Sequence, residues 1–419
     1  HITAAAFAAI ENGATHYPGP MKGIKPLLEA IAAKMERENN VSLNPMSDVV
    51  VTPGGKWALN LALSAIVDPG DEVIYLEPVW VSYPPMIKLA GGTPVPVSLP
   101  SEDNFRITAD LLREKVTAKT KAIMVTSPNN PTGRVLTREE VDAIVEVATE
   151  SDLYVMTDEM YEQLIFDGLP HIALAGEPGM AERTITCNGL SKAYAMTGWR
   201  LGWIAGPTPI LKLAAKLNSQ TVSAAANFTM HAAVAAINGP QECVAEMRES
   251  YKARRDFMVP ALNAIDGVEC RSIEGAFYLF PSFPGSEKNS LELADALLEK
   301  AGIAATPGIA FGSSGEGHVR FSIATAQSEL ERAVERRCPR SSPLQRVARR
   351  GLARNRDRRC PRTREGRVAV RLPVQPVGTW RQQLHHRHLG GHDRPVGGKR
   401  IRIQRTVDVR PVCGRHHVG

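Results

Sequence analysis

Lysine is seldom found directly after an apolar β-run among small side chains, because its entropy and charge favour an exposed helix face. Lys192 is such a residue, in Asn188-Gly-Leu-Ser-Lys192-Ala-Tyr-Ala-Met-Thr-Gly198-Trp-Arg200-Leu-Gly202. An amine whose pKa is lowered by desolvation or by a neighbouring cation can form a Schiff base with a carbonyl compound. Arg200 is a candidate for that cation, and its planar fork also suits a phosphate. The bland alternative is a buried structural lysine. Asp158-Glu-Met-Tyr161 follows an apolar run and lies 34 residues before Lys192, counted from Asp158. Alone, this spacing would describe a strand end and a core tyrosine.

Four further segments carry polar or aromatic residues at positions where chemistry is possible. Ser127-Pro-Asn-Asn130-Pro-Thr-Gly133 is a turn by composition, with Asn, Pro and Gly crowded after a β-run. Pro53-Gly-Gly55-Lys56-Trp57 opens an expected helix over 57–66, whose free N–H groups and positive dipole end suit an anion. It lacks the spacing of a P-loop. Trp80, in Pro78-Val-Trp-Val-Ser-Tyr83, is either a stacking platform or a core tryptophan. Arg320, in His318-Val-Arg-Phe-Ser322, alternates with apolar neighbours as a strand residue does, and a carboxylate gripped bidentately would partner it; a surface strand arginine is the alternative.

Together these segments resemble the class I aminotransferases of pyridoxal-phosphate fold type I, and most closely their gamma-type aspartate aminotransferases, over residues 1–336. The resemblance implies that Lys192 is the Schiff-base lysine and moves the substrate Cα proton, with Ser191 beside it in the motif and Arg200 on the cofactor phosphate. It implies that Asp158 pairs with the pyridinium, Tyr161 bonds the ring hydroxyl, and Asn130 reaches that hydroxyl and the substrate carboxylate. Gly55 and Lys56 would supply phosphate-binding amides, with the Lys56 side chain reading the distal carboxylate of an acidic substrate. Trp80 would stack on the cofactor ring beside the substrate, Arg320 would bind the substrate α-carboxylate, and Tyr17, in Thr15-His-Tyr-Pro18, would reach the phosphate of a neighbouring subunit. Gly189 stands where many relatives place a serine on the phosphate. The implied function is transfer of an amino group from an L-amino acid, aspartate or glutamate favoured, to a 2-oxo acid by a ping-pong route. Prephenate-type or aromatic oxo acids are within range, and the expected assembly is a homodimer with shared active sites. The alternatives are another fold type I enzyme such as a C–S β-lyase, a cofactor-binding regulator, or an inactive truncated chain, since relatives begin several tens of residues before His1.

The elements needed to hold these residues are legible as alternating β-runs and helical patterns from about 17 to 240, which predict βα units and a parallel sheet. Strands are expected at 73–76, 122–126, 154–157, 184–188 and 201–205. Each is followed within two residues by Gly, Pro, Asn or Asp, where open α/β sheets bind their ligands. From 242 the pattern changes to a helix at 244–265, a strand-like run at 275–280, a helix at 290–301, a strand at 319–323 and a helix from 327. The expected fold is therefore α/β: a large domain over 17–241, with a mainly parallel sheet that the resemblance makes seven-stranded, and a small α+β domain over 242–336. Residues 1–16 are expected to be the remnant of an N-terminal small-domain or arm segment.

Charge is divided unevenly. Of the 419 residues, those from 337 onward hold 21 Arg and one Lys against three Asp and one Glu, a net +18, whereas the whole chain carries only +6. The body is therefore acidic, and the basic balance of the chain does not indicate a nucleic-acid partner for it. The Arg-rich tail, without periodicity, is expected to be frameshifted or disordered; its cluster His385, His386, His388, His392, Cys413, His416 and His417 is given no role and no metal is expected. Six scattered cysteines without regular spacing fit a reducing cytoplasm. No apolar run reaches membrane-spanning length, and no membrane partner is expected. The loop Gly312-Ser-Ser-Gly315-Glu-Gly317 lacks the strand-to-helix setting of a dinucleotide fingerprint.

Overall fold

A computed structural model describes residues 1–334; the Arg-rich tail from 337 and its histidine and cysteine cluster lie outside the described residues. Seven strands form one sheet: β1 Val49–Thr52, β2 Glu72–Glu77, β3 Thr93–Ser98, β4 Thr120–Thr126, β5 Tyr154–Asp158, β6 Thr184–Gly189 and β7 Gly202–Ala205, in the order β1-β7-β6-β5-β4-β2-β3. The pairs from β3 through β2, β4 and β5 to β6 are parallel, and β7 runs antiparallel to both its neighbours. The sheet is thus mainly parallel, as expected. Its central strands are buried almost end to end, which follows from helices covering both faces. The helix Arg138–Glu150 starts at a capping box in which the Thr137 side chain accepts from the Glu140 N–H and Glu140 reaches back to Thr137.

Two strands of this sheet have no counterpart in the sequence pattern. β3 contains Pro94 and Pro96, which break a ladder, and it is tolerated because it lies at the sheet edge. β1 is only four residues long, and it pairs with β7, more than 150 residues downstream. The helix Ile2–Glu11 packs on the helix Asn227–Asn238, with the small residues Ala6 and Ala9 buried.

A second, three-stranded antiparallel sheet comprises β8 Tyr278–Leu279, β9 Thr306–Pro307 and β10 Val319–Ser322, in the order β8-β10-β9. The strand-like run 275–280 yields only two strand residues. Its first half is drawn away: Ala276, at φ 59°, donates its N–H to Leu164 O, and Gly275 bridges to Ile165. The helix expected over 290–301 is α-helical for Ser290–Ala296 and becomes a π-turn over Leu297–Ala301, closed by Gly302 in the left-handed region. The charged helix spans Glu242–Asn263 and is followed in the chain by this small sheet. No helix among the described residues is long and apolar enough to cross a membrane.

Candidate active site

Parallel pairing in register places Thr126 opposite Asp158 and Asp158 opposite Cys187. The segments leaving the carboxyl ends of β4, β5 and β6 therefore emerge side by side, which brings Asn130, Asp158, Tyr161 and Lys192 to one edge of the sheet. Asp158 is buried; its Oδ2 accepts from the Tyr83 hydroxyl at 2.7 Å and its Oδ1 from the Met160 N–H at 3.3 Å. Burial pushes the Asp158 carboxyl up to about 6, outweighing the lowering by those two bonds and by the charge of Lys192. This carboxylate is short of a close cation.

Lys192 is half-buried, with Nζ 5.8 Å from the ring centroid of Tyr161 and 5.7 Å from that of Phe277. Tyr161 packs edge-on against Phe277, and its hydroxyl lies 3.0 Å from that of Tyr278. Burial first, then the neighbouring Tyr278 and Asp158, push the Tyr161 phenol well above its ordinary value. Across from it, Arg320 donates from Nη1 to Asn130 Oδ1 at 2.7 Å and from Nη2 to Thr306 Oγ1 at 3.3 Å. Its guanidinium lies 4.3 Å from the Tyr278 ring centroid and 4.8 Å from that of Phe311. Its Nε is buried without a hydrogen-bond partner among the described residues, and burial pulls its pKa down. Such an arginine has donor capacity left for an anion.

A second group collects cations at a helix N-terminus. The helix Gly55–Ile66 has no side-chain cap, and Gly54 before it has φ 92°. A side chain at Gly54 is excluded twice, by that φ and because a Cβ would lie 2.5 Å from Arg200 Nη2. Arg200, itself at φ 54°, is steadied by donating from Nη1 to Thr197 O at 2.8 Å. Lys56 Nζ lies 4.8 Å from the Trp80 ring centroid, and its pKa is lowered by burial and then by Arg200. The cation beside Arg200 is thus Lys56, whereas Asp158 is the charge acting with Lys192. The two groups adjoin through Met160: a Cβ built on Gly55 would lie 2.8 Å from its Sδ, and one on Gly189 3.4 Å. Trp80 meets the edge of Tyr83 at 5.9 Å, and Tyr83 bonds Asp158. Ser191 is buried beside Lys192, and Tyr17 is 76% exposed.

Sequence reading missed Tyr83, which reaches Asp158 across 75 residues, and the buried network beneath the Asp158–Tyr161 turn. There Glu162 accepts from Lys34 Nζ, from Asn188 Nδ2 at 2.6 Å and from Asn39 Nδ2 at 2.7 Å. His171 Nε2 lies 3.4 Å from Glu159 Oε2 and 3.9 Å from Glu162 Oε2. Glu159, Glu162 and His171 have the types and proximity of metal ligands. The ammonium of Lys34 already stands on Glu162, so that one of the two carboxylates is balanced by charge without an ion. No local pattern announces these contacts, because Lys34 and Asn39 come from the helix Lys25–Asn39, Asn188 from β6 and the carboxylates from the turn after β5.

The family Aminotransferase class I and II matches residues 1–336. An aspartate aminotransferase of Pyrococcus abyssi is 41% identical over 338 residues, covering 80% of this chain and 86% of the relative. An aspartate/prephenate aminotransferase of Cereibacter sphaeroides is 43% identical over 348 residues, with the same coverage of 80% and 86%. Among solved structures, an aromatic aminotransferase from Pyrococcus horikoshii superposes with a TM-score of 0.80 at 40% identity, covering 84% of this chain and 92% of that one.

Proposed function

Because the chain belongs to the class I and II aminotransferases and is a pyridoxal-phosphate-dependent transaminase, we propose that it exchanges the amino group of aspartate or glutamate with 2-oxo acids at this site. The observation that carries the assignment of residues is the placement of Lys192 against two aromatic faces, next to a buried carboxylate that lacks a close cation. The residues fit the cofactor. A protonated ring nitrogen is the partner Asp158 lacks, and the uncapped helix N-terminus with Arg200 against Gly54 is a cradle for a phosphate.

When bound, pyridoxal phosphate supplies an electrophilic carbon and a protonated ring that draws electrons from the substrate Cα. In this reading the carboxylate of Asp158 holds the proton on the ring nitrogen, and Tyr161 donates to the ring oxygen, which Asn130 also reaches. Arg200, Ser191 and the amides of Gly55 and Lys56 hold the phosphate. Trp80 covers the ring and excludes water. Arg320 orients the α-carboxylate, with Nε the donor left over for it. Lys192 Nζ takes the proton from the substrate Cα and returns it at the other end of the transfer. The Lys56 ammonium reads the distal carboxylate of an acidic donor. The aspartate and prephenate in the names of two relatives support that preference.

Tyr17, exposed in the single chain, is assigned to the phosphate of a second copy in a homodimer. The division into a larger domain to 241 and a smaller one from 242 is supported by each sheet drawing its strands from one side of that boundary. The free thiols Cys187, Cys243 and Cys270 support a reducing cytoplasm. A lyase reading is not favoured by the aminotransferase relatives. The test is to load the full chain with pyridoxal phosphate, reduce it with borohydride and map the labelled peptide. Label on Lys192 and acceptor-dependent conversion of aspartate are expected. Label elsewhere would overturn the site, and pyruvate and ammonia released from one amino acid without an acceptor would overturn the reaction.

A further inference from the structure

We propose that Tyr278 is a positioning residue: its hydroxyl donates to Tyr161, so that the Tyr161 proton is directed at the oxygen of the cofactor ring. This rests on the reading that Tyr161 faces that oxygen. The two hydroxyls are 3.0 Å apart and both side chains are buried, so solvent does not supply competing partners. Either oxygen could donate by distance alone, and the surroundings decide the direction. The Arg320 guanidinium lies 4.3 Å from the Tyr278 ring centroid, and a cation over the face of a phenol stabilises the negative charge that builds on its oxygen as it donates. Tyr161 also feels Arg320, but it feels the Asp158 carboxylate more, which makes its oxygen the better acceptor. With its lone pair occupied by Tyr278, Tyr161 keeps one proton to give. Hydrogen bonds in series polarise one another, so the outgoing bond is strengthened as well as aimed.

Tyr278 therefore couples two parts of the site that are far apart in the chain, the arginine on β10 and the tyrosine after β5. It touches neither reacting atom in this reading. Its effect is on where the Tyr161 proton points, and through that on the pH at which the proton shared by the ring oxygen and the Lys192 nitrogen would be lost to solvent. A donor to the ring oxygen favours its deprotonated form and lowers that pH, so weakening the donor raises it.

The experiment is a double-mutant cycle on the cofactor-loaded full chain, with the pH midpoint of the cofactor absorbance change as readout. Tyr161→Phe removes the donor and should raise the midpoint by about 1–2 pH units, the equivalent of one bond to a charged group. Tyr278→Phe keeps the aromatic ring beneath Arg320 and should raise it by about 0.3 unit, the share expected of bond cooperativity. In the Tyr161→Phe background, Tyr278→Phe should add nothing. A shift from Tyr161→Phe but none from Tyr278→Phe would overturn the proposal and leave the role of Tyr161 standing. A Tyr278→Phe shift that persists without the Tyr161 hydroxyl would also overturn it, by showing direct action. No shift from either variant would overturn the placement of Tyr161 itself and the proposal with it.

Discussion

Replacing Asp158 by Asn should stabilise the cofactor-free protein at neutral pH while removing transamination. Burial raises the folded pKa of Asp158 from 3.8 to about 6. The difference of about 2.2 units, at 1.36 kcal/mol per unit, corresponds to about 3 kcal/mol. For a raised carboxyl the folded state binds the extra proton. The favourable contribution is thus fully present below the unfolded pKa and is lost as pH rises through the folded value near 6. Asparagine has no proton to lose, so the gap between the variant and the wild type is constant in acid, widens between about pH 4 and pH 7, and then levels off. Unfolding entropies of about 2.1 cal/mol/K per residue, taken over the described residues 1–334, convert 3 kcal/mol into roughly 4 °C. The assay is a set of thermal melts of both proteins stripped of cofactor, from pH 4 to pH 8. Using the change in the gap with pH cancels any fixed difference in how Asn accepts from Tyr83 or Met160. Adding pyridoxal phosphate should reverse the order at pH 8, because the proposed ring nitrogen then partners the carboxylate. Melting curves that stay parallel across this range would refute the account of Asp158 as a carboxylate without a close cation.

Further outcomes are expected at four other positions. Lys56→Ala should lower kcat/KM for aspartate about 10–100-fold, the worth of one charge-assisted contact, with a smaller loss for an aromatic donor; equal losses would remove the acidic-substrate preference. Arg320→Lys, which gives up the planar fork, should raise KM for all amino acids by about tenfold or more in steady-state assays with varied donors. At His171, burial lowers the pKa but Glu159 and then Glu162 outweigh it, so the net shift is upward. Its stabilising contribution is therefore fully present below about 6.5 and is lost as pH rises through the raised folded value, and His171→Gln should cost most in melts near pH 6 and least near pH 9. Gly312→Ala should lower the melting temperature, with a cost of about 1–3 kcal/mol from a backbone at φ 113° and ψ 172° that is essentially reserved for glycine. The added methyl also meets the Glu77 carboxylate, which accepts from the Ser313 N–H at 2.8 Å and hydroxyl at 2.9 Å.

The βα alternation, the five central strands and the reaction class were legible in the sequence. Buried parallel strands leave continuous apolar runs, and the polar residues Asn130, Asp158 and Lys192 stand at or just past the ends of three successive strands. Those features are local, so one segment at a time suffices to read them. β1 and β3 were not legible. β1 is defined by pairing with a strand more than 150 residues away, and β3 is permitted its prolines only by its place at the edge. The run 275–280 carried a strand pattern that tertiary contacts with Leu164 and Ile165 partly overrode.

The site shows the same division. Sequence alone supplied the amine Lys192, the carboxylate Asp158, the Gly-Gly turn before a helix and the two arginines, because each sits in a short segment with its own chemical signature. It also offered Arg200 as a cation at the site, and the fold sets that guanidinium against Gly54 and Lys56. Only the tertiary structure decided that Tyr83 holds Asp158, that Tyr278 meets Tyr161 under Arg320, and that Lys34, Glu162 and His171 share one buried network. Hydrogen bonds and desolvation depend on which side chains from distant elements share a water-poor space, and that is settled by packing.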